Sequence, residues 1–278
     1  MAGKQVFKIP YVGVDKSGIY DLLVGSNGEC SIIIRITNPV VRYAAAASAY
    51  DEFHNLMINI IKILGDGYIL QKQDIISRSK YPAKKAEEYL QVKYNEHFEG
   101  RDFLKVATYL TVTRQVKKGA FYVFDPKALR DFKNAAGKVL DILEIAKTLP
   151  RLLKESEINL LVMQILAMDF GSGHIALNNL SPNDTELKMG GRSIRNISLI
   201  NIDNIDLPQD VGTHIELNEK ETLKGFPVDF LSFLFKVPDF DAILFNQVIE
   251  IPNQSMTLKK LELKKKHIAA SQVVRNQS

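Results

Sequence analysis

Residues 104–113, LKVATYLTVT, alternate Leu104, Val106, Thr108, Leu110 and Val112 against Lys105, Ala107, Tyr109, Thr111 and Thr113. A period of two marks a strand with one face on a core and the other toward water. Such a strand demands neighbours on its edges and a layer over its apolar face. Candidate neighbours are present. YDLLVGSNGECSIIIRI (20–36) reads as a hairpin, an apolar run and a β-branched run joined by a Ser-Asn-Gly turn at 26–28, where Asn-Gly suits the positive φ angles of a tight turn. YILQKQDII (68–76), SIRNISLINI (193–202) and DAILFNQVIEI (241–251) read as further strands, and Pro39 ends the first hairpin.

The covering layer is helical. In AAAASAYDEFHNLMINIIKIL (44–64), Phe53, Leu56, Met57, Ile60, Ile61 and Leu64 fall on one helical face, and Gly65 follows where a C-cap favours a left-handed residue. A second helix over 124–146 opens with Asp125 as N-cap and Pro126 at its first position. Its apolar face is Leu129, Phe132, Ala136, Val139, Leu140 and Leu143, and Pro150 is expected to stop it. A third helix is expected over about 154–168, with INLLVMQILAM (158–168) buried, and a short one over PVDFLSFLF (227–235). Regular alternation of strand and helix is missing, so the expected class is α+β, with largely antiparallel mixed sheet and packed helices. A division near 150–155 would separate subdomains 1–150 and 151–267, leaving 268–278 as a flexible end.

Composition narrows the function classes. Cys30 is the single cysteine, which excludes an internal disulfide and fits a reducing compartment. No run approaches the roughly 18 apolar residues of a membrane span, and the N-terminus MAGKQVFKIPYVG lacks the apolar core of a secretory signal. The net charge of +4 is localised: residues 259–278 carry six Lys/Arg against Glu262 alone, leaving 30 basic and 31 acidic side chains in the rest. A nucleic-acid surface spread over the body would need clustered cations that this distribution does not supply.

The chemistry-bearing motifs are few. Gly65-Asp66-Gly67 lies after a helix and before a strand, the reverse of a phosphate-binding loop, so it reads as a joint at a helix C-terminus whose partial charge repels phosphate. MGGRSIRN (189–196) lacks the Gly-Lys-Ser/Thr ending of a P-loop, and GSGH (171–174) has no second ligand at metal spacing. The histidines at 54, 97, 174, 214 and 267 are scattered. His54 is expected near the core face as a structural residue. His97, Glu99 and Arg101 share a charged turn, the one local candidate for a catalytic cluster. The stretch KKLELKKKH (259–267) admits three readings: a solvated end of an element, a contact for membrane phosphates, or a nucleic-acid contact through Lys259, Lys260, Lys264, Lys265 and Lys266. No aromatic interleaves those lysines to stack on bases. The chain on its own reads as a non-enzyme with no cofactor.

ILGDGYILQKQDI, HFEGRDF with TYLTVT, FDPKALRDF, INIDNIDLP, FPVDFLSFL and FNQVIEIPNQ with KKLELKKKH, taken in this order, resemble the N-terminal region of TraG conjugation ATPases of Bacteroides-type conjugative transposons, a branch of the type IV secretion ATPases. The resemblance runs from about residue 5 to 267. It implies an α+β N-terminal domain preceding a RecA-like motor, with ATP and Mg bound only in that motor. It also implies partners: other subunits of the ATPase in a homo-oligomer, and inner-membrane proteins of the secretion channel, met at the cytoplasmic face. The family's catalytic residues belong to the motor, so none maps onto this chain. IAASQVVRNQS at the end departs from the Pro/Asp-rich continuation of the family.

Overall fold

The computed structural model describes residues 9–16, 18–43, 47–83, 85–116, 125–170, 180–182, 185–189, 192–196, 198, 213–214, 226–227, 240–252 and 254–275. They form an α+β fold built on an antiparallel sheet. Six strands run in the order β1 (Tyr11–Asp15), β2 (Leu22–Gly25), β3 (Cys30–Ile36), β5 (Asp102–Arg114), β4 (Tyr68–Lys80) and β12 (Ala242–Ile251), and the short β6 (Arg151–Leu152) pairs with β3. β4 and β5 are paired over thirteen positions, from Tyr68↔Arg114 to Lys80↔Asp102, and form the spine of the sheet. β6 and β12 follow residue 150 and pair with β3 and β4, so the sheet continues across the division expected there.

Helices cover both faces. On one lie α2 (Ala47–Leu64) and α4 (Pro126–Ile145). Leu56, Ile60 and Leu64 of α2 and Phe132, Ala136, Val139 and Leu143 of α4 pack onto Ile32, Ile34, Leu70, Leu110 and Val112 of the strands. Their spacings of three and four residues are those of one helical face. On the other face, Ile158 and Leu161 of α5 (Glu155–Ala167) meet Leu23, Ile33, Ile75 and Leu153. The unbroken run Ile32-Ile33-Ile34 in β3 follows from this, because a strand covered on both sides buries both parities of its side chains. α1 (Pro39–Tyr43) and α3 (Tyr89–Phe98) complete the first half. Two small β units are separate from the main sheet: β7 (Leu180–Pro182), β8 (Leu187–Met189) and β9 (Arg192–Ile194) form one, β10 (Thr213–His214) and β11 (Phe226–Pro227) the other. α6 (Gln254–Arg275) follows β12.

Several expectations need correction. The 26–28 turn uses one left-handed residue, Gly28 at φ 85°, while Asn27 keeps a negative φ. Gly28 N–H donates to Gly25 O at 3.0 Å and Gly25 N–H to Glu29 O at 2.8 Å, which closes a three-residue loop over the expected residues 26–28. α4 ends at Ile145, before Pro150: Lys147 N–H bonds Glu144 O at 2.8 Å and Thr148 N–H bonds Leu143 O at 3.1 Å. Lys147 is left-handed at φ 53°. This is a Schellman closure with lysine where glycine is usual. α5 is half-buried rather than buried, with Leu160 and Met163 exposed. Of the strand expected over 193–202, residues 193 and 194 lie in β9, residues 195, 196 and 198 are not in a strand, and the rest lie outside the described residues. The helix expected over 227–235 lies outside the described residues except for Pro227, which sits in β11. α6 runs through 268–275.

Candidate functional site

Backbone bonds at both glycines build the glycine joint. Gly65, at φ 67°, closes α2 with its N–H on Ile61 O at 3.0 Å. Gly67, at φ 82°, donates to Ile251 O at 3.1 Å and accepts from Gln115 N–H at 2.9 Å. Those partners are the ends of β12 and β5, so the joint ties three chain segments at one end of the sheet.

His97, Glu99 and Arg101 are all exposed. Arg101 Nη2 stands 3.5 Å from His97 Nδ1, and the Arg101 guanidinium lies 5.5 Å from the centre of the Phe98 ring. That stacking belongs to an aromatic cluster, Tyr81, Tyr94, Phe98 and Phe103, which closes the connection between β4 and β5. Tyr81 Oη donates to the buried Asn95 Oδ1 at 2.9 Å. The turn therefore serves a folded tip. His54, expected near the core, is exposed on α2: its position falls one residue past Phe53, on the water side of the helical face.

Lys259, Lys260, Lys264, Lys265 and Lys266 are exposed on α6, as are the neighbouring Leu258, Leu261 and Leu263. At about 100° of rotation per residue, the five ammonium groups point around the helix instead of along one side. Lys260 and Lys264 share a side, Lys259 and Lys266 another, with Glu262 next to the second pair. A flat run of phosphates can meet about three of them at once by this geometry. GSGH (171–174) and the glycines of MGGRSIRN lie outside the described residues.

Two charged clusters escaped the sequence reading. On β4, Lys72 Nζ pairs with Asp74 Oδ2, and Asp74 Oδ1 accepts from Thr108 Oγ1 of β5 at 2.6 Å. The Lys72 and Asp74 side chains are only 12% and 13% exposed. Lys72 and Asp74 are two apart on one strand and Thr108 faces Asp74 directly, so an alternating polar pair in a strand was the available signal. Arg192 of β9 bonds Asp169 at 2.9 Å and Asp241 at 3.4 Å, linking the small β unit to the end of α5 and the start of β12. The Asp169 carboxylate raises the Arg192 pKa above its ordinary value.

Cys30 is half-buried, and burial pushes its thiol pKa up, with Asp15 adding to the effect. A thiol held protonated is a poor nucleophile. Among the described residues no group of three His, Cys, Asp or Glu side chains could hold a metal ion, and no helix is long and apolar enough to cross a membrane. Compared with family models and with curated proteins, the chain matches none.

Proposed function

We propose that the chain is the non-catalytic N-terminal assembly and docking domain of a conjugative-transfer ATPase of the type IV secretion kind. It joins motor subunits to one another and meets inner-membrane channel proteins from the cytoplasmic side as a peripheral domain, while ATP and Mg bind elsewhere in the parent protein. The observation that carries the reading is the ordered resemblance. Three of its stretches fall on β4, β5 and β12, which are adjacent in the sheet although far apart in sequence, and a fourth opens α4 on the same core. Similarity that gathers on one packed unit is what a shared domain leaves behind. Reading the coding frame beyond Ser278 tests this: a P-loop followed by an acidic strand is expected within a further few hundred residues, and a stop codon directly after Ser278 overturns it. ATP hydrolysis by the purified chain at motor rates would overturn the non-catalytic part.

A second reading, nucleic-acid binding through α6, is favoured by the exposure of all five lysines. With about three cations reaching one backbone, the slope of log affinity against log salt is expected near −0.9 per contact on duplex DNA. Fluorescence anisotropy with a labelled duplex checks it. Binding that survives replacement of the five lysines by glutamine removes this reading.

A further inference from the structure

β5 has two neighbours along only part of its length. Its pairing with β3 ends at Thr108↔Ile36, whereas its pairing with β4 continues to Asp102↔Lys80. Along Asp102–Ala107 the edge turned away from β4 therefore meets no strand among the described residues. The chain that would have covered it turns off: Thr37 N–H donates to Thr148 O at 2.8 Å, Asn38 Oδ1 accepts from Val40 N–H at 2.9 Å, and α1 begins at Pro39.

The space left open is a groove of about 600 Å³. Val40, Val41, Val106 and Leu149 give it apolar walls, and Arg35 and Arg151 line it as well. Val41 is 78% exposed and Leu149 75%, values unusual for side chains of this kind standing together. Leu149 is held there in a left-handed conformation, φ 51°, which a leucine adopts only against a steric cost. The two arginines are cross-strand partners, Arg35↔Arg151. Glu157 pairs with Arg151 at 2.7 Å and its carboxylate also feels the charge of Arg35, so two guanidinium groups share one carboxylate and keep a positive excess.

We propose that this groove docks an extended segment of another protein, added as a strand to the Asp102–Ala107 edge of β5, with apolar side chains against Val40, Val41 and Leu149 and an acidic side chain on Arg35. Each part of the groove selects one property of the guest. The backbone edge selects an extended conformation, since only a strand matches its row of donors and acceptors. The walls select apolar residues at alternate positions. The positive excess of the two guanidinium groups selects a carboxylate. This deepens the docking reading by naming its surface, but it rests on the groove alone. A coding frame without a motor would leave it standing, and a groove that binds nothing would leave the motor assignment standing.

The test uses phage-displayed random peptides selected on the full chain, followed by fluorescence polarisation with the winning peptides in synthetic form. Selected peptides are expected to alternate apolar residues and to share an Asp or Glu. Their affinity is expected to fall about tenfold or more in Arg35→Glu, a change at an exposed position. Hydrogen exchange on the wild-type chain supplies the second measurement: bound peptide should slow the outward amides of Asp102–Ala107. Equal enrichment on an Arg35→Glu, Val106→Glu variant with unchanged circular dichroism overturns the proposal. So does peptide binding that leaves those amides unprotected. Concentration-dependent self-association abolished by Arg35→Glu would overturn it too, by assigning the groove to a second copy of the chain.

Discussion

The two halves of β5 carry one alternating pattern in different surroundings. From Thr108 to Arg114 the strand lies between β3 and β4, and Thr108, Leu110 and Val112 are buried. From Asp102 to Ala107 it has β4 alone, and Leu104 and Val106, in phase with the buried three, are 53% and 39% exposed. Alternation says which side chains share a face. It does not say whether anything covers that face, because the cover comes from α2 and α4, which reach only the inner half. A strand can thus keep a core pattern past the core, and there its apolar residues become a surface.

Paired substitutions measure this contrast, and the largest effect belongs to the core. Leu110→Ala is expected to lower stability by about 4 kcal/mol, while Leu104→Ala stays within about 0.5–1 kcal/mol. Urea unfolding of the two variants checks it, and equal losses would mean that the outer half is covered after all. Ion pairs should divide the same way. Asp74→Ala strands the nearly buried Lys72 ammonium and takes the acceptor from Thr108, for a loss of about 3 kcal/mol. Asp102→Asn, which breaks the exposed pair with Lys80, should leave the urea midpoint where it was. A double change, Lys72→Met with Asp74→Leu, should recover most of the loss if the stranded charge is its cause.

A smaller effect is expected at Glu157, beside the groove. Its carboxylate accepts the Lys154 N–H at 3.1 Å and pairs with Arg151, and these hold its pKa below the usual carboxylate range. A carboxyl whose pKa is depressed by folding adds stability above its unfolded pKa, and that stability disappears as pH falls through the folded value. Glu157→Gln should therefore be less stable than wild type at neutral pH, with the gap closing in acid. Urea midpoints at neutral and acid pH decide it; a gap that persists unchanged in acid would mean that the charge is not its source. The α6 lysines are expected to behave like Asp102: replacing all five by glutamine should leave the urea midpoint unchanged.

Much of this architecture was readable from local pattern. The faces of α2 and α4, the Asp125 cap that accepts from Lys127 and Ala128 N–H at 3.0 and 3.1 Å, and the strand character of 68–76 and 241–251 all depend on periods of two or 3.6 and on capping chemistry. What escaped depends on pairing between distant segments. Lys72 and Asp74 form a nearly buried pair only because Thr108 of β5 is set against them. The groove could not be read at all: it exists because β3 is shorter than β5, and no residue in either strand announces its neighbour's length. Lys147 misled for a local reason. A Schellman closure normally advertises itself with glycine, and here a lysine takes the left-handed position, so Pro150 was the more visible stop.

The pairing of β12 with β4 also sets an order of events in time. Gln71 bonds Asn246 across 175 residues of chain, so the flank of β4 must wait for its closing strand while the intervening chain is made. At roughly 5–20 residues per second on the ribosome, that wait is on the order of ten to thirty seconds. During it, Leu70 and Ile75 sit in a strand whose hydrogen-bonding edge is open to any other nascent chain. A chaperone that recognises extended apolar segments would find its client in that interval.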